Sequence, residues 1–447
     1  MPMTGSRMRQ TERRYRCQLA VIGTGLAGFA ASLFAMDRGI ATAQVGNTGS
    51  IAYTSGYLDL LGYQGNQLLD SPWSGLERLR EEEPQHPLSR IDDESIRTAF
   101  GRFTAALSEM GVGYSAPGTH NLQALTPVGT LKPTFCVPRT MLAGIGAGVD
   151  GKALIVDFEG LEGFSARQLV VNLQRLRPLL RSTRLAFPGP KAAGQLYPEV
   201  MARELEVPAQ RERLAERIKA ALGDAAMVGV PAIMGVHAPD RVHAELQRLV
   251  GVPVFEIPTM PPAVPGIRLR EMFEQRCPER GLTLVPQQKV QRLELHQDGV
   301  ILHLRDNYGA VVIEAQAGLL ATGRFLSGGL KADRQGIRET LLDIPVSQPG
   351  GRTGWFRDDY FDPRGHQVNR AGLEVDAQFR PLGRDGEPFS ERLFAAGILL
   401  AGQDWARQRC GAGVAIATAY RAVQSASAIF GLEEKRAAGG AADSIGI

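Results

Sequence analysis

The chain has 447 residues, of which 44% are hydrophobic and 22% charged, and its formal net charge is +3. This is the composition of a globular protein long enough for two or three domains. So small a net charge gives no support to nucleic-acid binding. The four cysteines, Cys17, Cys136, Cys277 and Cys410, form no C-x-x-C pair, which argues against a zinc module or a secreted disulfide framework.

The two ends of the chain differ in composition from the rest. Residues 1–15 are rich in arginine and are predicted to be a disordered basic leader, and the Ala/Gly-rich residues 432–447 a disordered tail. No apolar run approaches the roughly 20 residues of a membrane-spanning helix. We therefore expect no direct membrane span.

The first organised segment predicts a βαβ unit. An apolar strand at 17–23 leads into a G-x-G-x-x-G motif, then an Ala-rich helix at 27–38 and a second strand at 40–45. In this motif the first glycine permits a tight turn, the second admits a phosphate, and the third allows close packing of helix and strand. The residues predicted to bind a dinucleotide or flavin here are Gly23, Gly25, Leu26, Ala27 and Gly28.

The middle of the chain changes character. Residues 117–138 are punctuated by Pro, Gly and Thr and predict a loop region. Between 152 and 257, strands and helices alternate, which predicts an inserted α/β region. A helix follows at 267–280.

The last third predicts a small β-meander and a return to the first domain. Short strands run from 283 onward, with separate ones at 310–315 and 317–321, the latter ending in Ala-Thr-Gly. A late strand reaches Gly397, and an Ala-rich helix then begins at a Gly-Ala-Gly sequence. We therefore divide the chain into a flavin-binding domain at 16–150, the inserted region at 151–257, and the returning part at 258–431.

This order of elements resembles the large Rossmann-like flavoprotein fold of the fumarate reductase and glutathione reductase type. In that α/β fold, the N-terminus of the last helix points at the flavin, and a loop after the second strand wraps against it. The further cofactor-binding candidates that this resemblance implies are Ser50, Ser55, Gly56, Thr322, Gly323, Gly397, Gly411 and Gly413.

Several sequence blocks are similar to the B subunit of anaerobic glycerol-3-phosphate dehydrogenase. The most specific is LATGRFLSGGLKADRQGIRE at 320–339; the others are SGYLDLL at 55–61, TPVGTL at 126–131, PTMPP at 258–262 with GIRL at 266–269, and QRCGAGV at 408–414. The resemblance runs from about residue 17 to residue 431.

This resemblance implies a flavin protein that pairs in the cytoplasm with the catalytic flavin subunit. An iron–sulfur membrane-anchor subunit would dock the pair on the inner membrane. The complex would oxidise glycerol 3-phosphate to dihydroxyacetone phosphate, with electrons passing to quinone and on to fumarate or nitrate. The family is described as using FMN in its B subunit. The chain fits that division of labour, since it has no cysteine cluster for an iron–sulfur centre.

Two acidic residues usual in FAD-binding members are missing. Gly46 stands at the end of the second strand, where an acid normally holds the adenosine ribose, and Ile398 stands where an Asp normally contacts the ribityl chain. Loss of the first is expected for FMN, which lacks the adenosine half. We therefore predict FMN, with FAD as the alternative and a degenerate, weak site as a third option.

The substrate and catalytic residues are less defined. Arg324 and Arg338 lie in a basic cluster with Lys331 and Arg334, which suits either a phosphate-bearing substrate or a docking surface for a partner protein. No histidine pair has metal-ligand spacing, and no catalytic base is assigned. Cys410, beside a helix start, is interpreted as a small buried residue in preference to a redox thiol.

Two other functions stay open at this point. A structural subunit, with the fold but without a working flavin site, would join the catalytic and membrane-anchor subunits. A soluble flavin oxidoreductase of the fumarate reductase type would turn over substrate as the isolated chain.

Overall fold

A computed structural model describes residues 12–47, 50–145, 151–189, 195–362 and 364–432. The predictions for residues 1–11 and 433–447 lie outside these ranges. The fold is mixed α/β with a parallel sheet, which confirms the predicted class.

Helices and strands alternate along most of the described chain. The helices are α1 (Leu26–Asp37), α2 (Pro72–Glu82), α3 (Asp93–Glu109), α4 (Ala166–Leu173), α5 (Pro198–Glu204), α6 (Pro208–Leu222), α7 (Pro239–Val250), α8 (Val264–Glu279), α9 (Trp405–Gln408) and α10 (Gly411–Ile429). The strands are β1 (Arg13–Ile22), β2 (Thr42–Gly46), β3 (Tyr63–Gln64), β4 (Gln67–Leu68), β5 (Leu122–Leu125), β6 (Leu131–Thr134), β7 (Ala153–Phe158), β8 (Leu180–Leu185), β9 (Met227–Pro231), β10 (Val254–Ile257), β11 (Thr283–Pro286), β12 (Arg292–His296), β13 (Gly299–Asp306), β14 (Gly309–Leu320), β15 (Leu330–Ala332), β16 (Ile337–Glu339) and β17 (Leu393–Ala395).

The main sheet has the strand order β11-β2-β1-β14-β13-β12, with β17 also paired to β14. Strands β11, β2, β1, β14 and β17 run parallel, so their carboxyl ends lie along one edge of the sheet. Helices α1 and α10 contact each other beside this sheet, and both are buried over most of their length. Ligands in such sheets bind at the carboxyl edge.

The predicted disorder over residues 1–15 is wrong at its last three residues. Strand β1 begins at Arg13 and pairs in register with β14 from there on. Side-chain ion pairs hold this extension, since Arg13 contacts Asp306 and Arg14 contacts Glu314 at 2.8 Å.

The two strands predicted at 310–315 and 317–321 form one continuous strand, β14. Its first half pairs with β13 in the meander, and most of its length pairs with β1. Along β14, buried and partly exposed residues alternate in places over the first half, whereas residues 317–320 are all buried. The second half of the strand is therefore buried on both faces, which is why its sequence is continuously apolar. The meander is therefore an extension of the main sheet.

Strands β7 to β10 form a second sheet with the order β10-β9-β7-β8, in which all pairs are parallel. It has its own apolar core, in which Val156, Val228 and Val254 are fully buried. The predicted loop at 117–138 also contains a hairpin of β5 and β6. The turn that joins these two strands packs against α4, the helix that follows β7.

A buried ion pair joins this second sheet to α8. Glu256, on β10, accepts two hydrogen bonds from the guanidinium of Arg268, at 2.6 and 2.7 Å, and one from Thr140. Both charged side chains are at most 2% exposed. Burial alone would raise the pKa of Glu256, but the charge and hydrogen bonds of Arg268 outweigh it and leave the pKa below its usual value.

Removing the charge of Glu256 should destabilise the chain strongly. Glu256→Gln leaves Arg268 buried without a counter-charge, which we expect to lower the free energy of unfolding by about 3–5 kcal/mol. Urea denaturation followed by fluorescence measures the change. Glu279→Gln is the matched control, because it breaks the exposed pair with Arg276 and should cost less than about 1 kcal/mol. Equal effects of the two substitutions would contradict a structural role for the buried pair.

Candidate functional site

The turn after β1 lies unusually close to the end of β14. A methyl group on Gly23, whose φ is +131°, would lie 2.1 Å from the carbonyl oxygen of Ala321, and one on Gly28 would lie 2.1 Å from the carbonyl oxygen of Gly23. The side-chain amide of Gln44 donates from Nε2 to that same Gly23 oxygen at 2.8 Å and fixes the turn. The predicted motif residues and the predicted Ala-Thr-Gly segment are thus brought together.

Hydrogen-bond donors without partners lie at this meeting point. The Thr24 hydroxyl and the Thr322 hydroxyl are both shielded from solvent and have no hydrogen-bond partner among the described residues. Gly25 is the N-cap of α1, yet no side chain caps this helix and its first turn carries no acidic residue. The unpartnered Thr24 hydroxyl belongs to the residue just before the uncapped N-terminus of α1, which fits an anionic group such as a flavin phosphate. The Thr322 hydroxyl lies on the neighbouring segment, against Gly329.

The space beside Gly25 is open on one side. A methyl group placed there would be 3.4 Å from Ser50 Oγ, an ordinary contact distance, so the structure brings Ser50 next to the motif. Gly25 has an extended backbone that any residue can adopt. It therefore differs from Gly23 and Gly28, where a methyl group would overlap backbone atoms.

Thr24 lies against Gly46, the position where the usual acidic residue is missing. A methyl group on Gly46 would lie 2.9 Å from the Thr24 amide nitrogen and 3.0 Å from its hydroxyl oxygen. The Thr24 side chain therefore occupies the room that a side chain on Gly46 would need. An acid could be restored at this position only if Thr24 moved.

The segment 50–61 runs from the motif towards the start of α10. Near its middle, Gly56 has a φ of +84° and its carbonyl oxygen accepts a 2.8 Å hydrogen bond from the Tyr114 hydroxyl. Ser55 Oγ accepts a weak bond from the Tyr57 amide at 3.5 Å. Ser55 and Gly56 thus lie in the junction with α8, where Gly56 faces Pro265.

The N-terminus of α10 is held tightly by this segment. The Gly413 amide donates to the Asp59 carbonyl oxygen at 2.6 Å, and a methyl group on Gly413 would be 2.5 Å from the Leu60 carbonyl oxygen. A methyl group on Gly411 would instead be 3.3 Å from the Trp405 ring. One α10 amide is therefore already used by the protein itself, at the position predicted to face the flavin.

Gly397 lies between α1 and α10. A methyl group on it would be 2.7 Å from the Ala27 side chain, and its amide donates to the Thr418 hydroxyl at 2.8 Å. Its φ is +79°, which favours glycine. Gly323, with a φ of +66°, is likewise in a turn, where a methyl group would be 2.3 Å from Ser327 Oγ.

Sequence reasoning missed a partly buried ion pair in the segment that holds the start of α10. Asp59 is 9% exposed and contacts Lys132 at 2.6 Å, with one carboxylate oxygen left without a partner among the described residues. Burial raises the pKa of Asp59 even though Lys132 acts in the opposite direction. Both residues lie in or next to the sequence blocks that resemble the dehydrogenase family, but only the fold brings positions 59 and 132 together.

Cys410 is fully buried beside a neutral histidine. Its sulfur is 3.9 Å from His86 Nε2, and burial lowers the pKa of His86 to about 3. Burial also raises the pKa of the Cys410 thiol above its usual value. The thiol is therefore protonated at neutral pH, as expected for a packing residue.

The two arginines predicted to meet a substrate phosphate are in different surroundings. Arg324 is 7% exposed and donates from both Nη atoms to backbone carbonyl oxygens, those of Asn369 and Ala371. Desolvation lowers its pKa to about 10. Arg338 is exposed on β16, and a substrate role for each arginine stays a prediction.

Within the described ranges, no group of three or more His, Cys, Asp or Glu side chains is placed to hold a metal ion. In the same part of the chain, no helix is both long and apolar enough to cross a membrane.

Comparisons with known proteins cover nearly the whole chain. A family model described as an FAD binding domain matches residues 18–414. The probable B subunit of anaerobic glycerol-3-phosphate dehydrogenase from Halobacterium salinarum is 31% identical over 428 residues, covering 92% of this chain and 97% of the relative. The B subunit of the anaerobic glycerol-3-phosphate dehydrogenase from Vibrio vulnificus is 28% identical, covering 91% and 95%.

Two solved structures are similar to this chain at low sequence identity. The 3-ketosteroid delta1-dehydrogenase of Sterolibacterium denitrificans is 11% identical with a TM-score of 0.43, over 92% of this chain and 99% of that one. The quinol fumarate reductase of E. coli is 10% identical with a TM-score of 0.40, over 95% and 72%.

The two glycines at the start of α10 should respond differently to a methyl group. Gly413→Ala would press against the Leu60 backbone, which we expect to cost about 1–3 kcal/mol of stability. Gly411→Ala has more room and should stay within about 1 kcal/mol of the parent chain, because Ala is the better helix former. Thermal unfolding of both variants measures the difference. Similar losses in both would contradict the packing described for Gly413.

The Cys410 thiol should be unreactive in the folded chain. We expect Ellman's reagent at pH 8 to label it far more slowly than after unfolding in guanidinium, where all four thiols become accessible. Cys410→Ala is the control, since it should leave the labelling of the folded chain unchanged. A fast-reacting thiol that disappears in Cys410→Ala would show that this cysteine is activated.

Proposed function

The chain belongs to the FAD-binding-domain family and to the family of the anaerobic glycerol-3-phosphate dehydrogenase B subunit, and from this premise we propose that it is the flavin-carrying B subunit of such a dehydrogenase. Its complex would oxidise sn-glycerol 3-phosphate to dihydroxyacetone phosphate and pass the electrons to quinone. The observation that carries the proposal is similarity over nearly the full length of both chains. The family resemblance found in the sequence is thereby confirmed.

The residues at the carboxyl edge of the main sheet fit a flavin phosphate. The Thr24 and Thr322 hydroxyls are buried donors without partners among the described residues, and the N-terminus of α1, which begins just after Thr24, has no side-chain cap. A buried donor left without a partner costs free energy, so a phosphate oxygen here would satisfy groups that the chain leaves open. A flavin bound in this way would supply the hydride acceptor that oxidation of a secondary alcohol requires.

The flavin could be FMN or FAD, and the observations differ on which. The matched family is named for FAD, which gives no support to FMN as the first choice. FMN stays a prediction that rests on Gly46, where Thr24 fills the space of the usual ribose-binding acid. Mass spectrometry of the flavin released on acid denaturation distinguishes the two.

The names of the relatives suggest the partners. Their designation as a B subunit implies a complex, and we propose the catalytic flavin subunit (A) with the iron–sulfur membrane-anchor subunit (C) as its other members. Membrane contact would then be peripheral, through the anchor protein, with fumarate or nitrate as final electron acceptor. The chain would reside on the cytoplasmic side of the inner membrane.

Two observations favour a structural role as the second candidate function. Gly46 and Ile398 stand where FAD-binding members usually have acidic residues, and the Gly413 amide already donates to the Asp59 carbonyl oxygen. A chain of this kind would keep the fold and join its partners without a firmly bound flavin.

Gly25 offers a direct test of the flavin site. Gly25→Asp adds a good N-cap to α1, so the stability of the flavin-free chain should stay equal or rise by up to about 1 kcal/mol. The new carboxylate would face the flavin phosphate, and we expect affinity for FMN or FAD to fall at least about tenfold, because like charges repel in such a site. Gly25→Asn, of the same shape without the charge, is the control and should retain more flavin than Gly25→Asp.

Flavin per chain is measured by visible absorbance after reconstitution with FMN or FAD. Unchanged binding in both variants would place the phosphate elsewhere and contradict the site. A wild-type chain that takes up neither flavin would contradict the flavin-carrying function and favour the structural role.

A further inference from the structure

Arg324 is a buried cation that contacts no carboxylate among the described residues. It is 7% exposed, and its hydrogen bonds go to backbone oxygens alone. Two other buried arginines differ from it, since Arg268 contacts the carboxylate of Glu256 and Arg211 that of Glu245. A buried charge without a counter-charge is costly. Arg324 therefore carries a positive charge that no acid in contact with it neutralises.

Backbone carbonyl oxygens hold the guanidinium in place. The two Nη atoms donate to the carbonyl oxygens of Asn369 and Ala371, and one of them also lies 3.5 Å from that of Gln403. Desolvation lowers the pKa of Arg324 to about 10, which still leaves the side chain charged at neutral pH. The carbonyl dipoles solvate this cation without cancelling its charge.

The cation lies just past the carboxyl edge of the main sheet. Strands β14 and β17 are parallel neighbours, with Leu320 opposite Ala395 in register. Arg324 follows β14 in the same turn as Thr322, whose buried hydroxyl has no partner among the described residues. The carbonyl oxygen of Gln403, which Arg324 approaches, belongs to the chain that continues from β17. Ligands of such sheets bind outside this edge.

The charge of Arg324 also reaches the start of α10. Asp404 and an ionised Cys410, the N-cap of α10, would both raise the pKa of Arg324 by their charge. A methyl group on Gly372 would lie 2.5 Å from the Leu399 carbonyl oxygen, so the segment that holds Arg324 packs against the residues between β17 and α9. The turn after β14 and the start of α10 are thus both within electrostatic reach of one buried cation.

An electrostatic role makes no demand for a free donor on Arg324. Both Nη atoms already donate to carbonyl oxygens, and Nε is shielded from solvent. A bidentate contact with a phosphate would have to compete with these bonds. Charge, in contrast, acts through several ångströms of protein, where water and salt screen it little.

We propose that Arg324 supplies the positive charge that stabilises the reduced form of the flavin bound by this chain, an inference that rests on the proposed function. In that reaction the alcohol carbon gives up a hydride, so the flavin gains two electrons and one proton, and the substrate hydroxyl proton passes to solvent. The negative charge left on the reduced ring is what a fixed cation stabilises. Its effect is a higher reduction potential of the bound flavin, which favours uptake of electrons from glycerol 3-phosphate.

Charge-changing substitutions of Arg324 test this role. Arg324→Gln removes the charge and keeps an amide donor. We expect the reduced flavin to bind at least about tenfold more weakly relative to the oxidised flavin, which for a two-electron couple is a fall of about 30 mV in potential. Anaerobic equilibration of the reconstituted chain with a reference dye measures it. Arg324→Lys retains the charge and should stay close to the wild type.

The matched control is Arg213→Gln, the same substitution at an exposed arginine on α6, which should leave the potential unchanged. Asp404→Asn is a second test, of opposite sign. Asp404 is 5% exposed, and its negative charge offsets that of Arg324. Its removal should raise the potential of the bound flavin.

The outcomes separate this inference from the function on which it rests. A wild-type chain that takes up neither FMN nor FAD contradicts the proposed function itself. Bound flavin with the same potential in Arg324→Gln as in the wild type contradicts the role of the charge. So does an equal fall in Arg324→Lys, because a loss of packing and not of charge would then be the cause. If the Arg324 variants do not fold, a rise in Asp404→Asn supports the inference and an unchanged potential overturns it.

Discussion

The close approach of Gly23 to the end of β14 is the constraint on which the candidate site depends. Two parallel strands and helix α1 meet there at distances that leave no room for a side chain on Gly23 or Gly28. Because the backbones touch, the hydroxyls of Thr24 and Thr322 are brought to the same edge of the sheet and shielded from water. The two glycines act through packing, while Gly25 keeps open space beside it.

A second interaction, the buried ion pair of Glu256 and Arg268, links the inserted sheet to the segment that follows the motif. Glu256 and Arg268 fasten β10 to α8, and α8 in turn packs on the segment that begins at Ser50, with Gly266 against the backbone of Ile51 and Ala52. The same segment continues to Asp59, whose carbonyl oxygen holds α10. One stretch of about a dozen residues therefore connects the motif, the insertion and the last helix.

Local patterns predicted much of this fold and less of the site. The elements of the βαβ unit have strong periodicity and lie within a few residues of where they were expected, and strands and helices alternate through the insertion as predicted. The hairpin of β5 and β6 was missed because Pro133 and Gly129 mask its strands, and β14 was split because its burial changes halfway. The contacts between Asp59 and Lys132, and between Arg324 and the carbonyl oxygens of Asn369 and Ala371, join distant positions, which no local pattern encodes.

A crystal structure of the chain purified with its flavin tests the central claim most directly. We expect density for a flavin phosphate at the N-terminus of α1, within hydrogen-bond distance of the Thr24 or Thr322 hydroxyl. Gly23 and Ala321 should keep their close contact when the flavin is bound. Stoichiometric flavin whose phosphate lies away from Gly25 and from both hydroxyls would contradict this site.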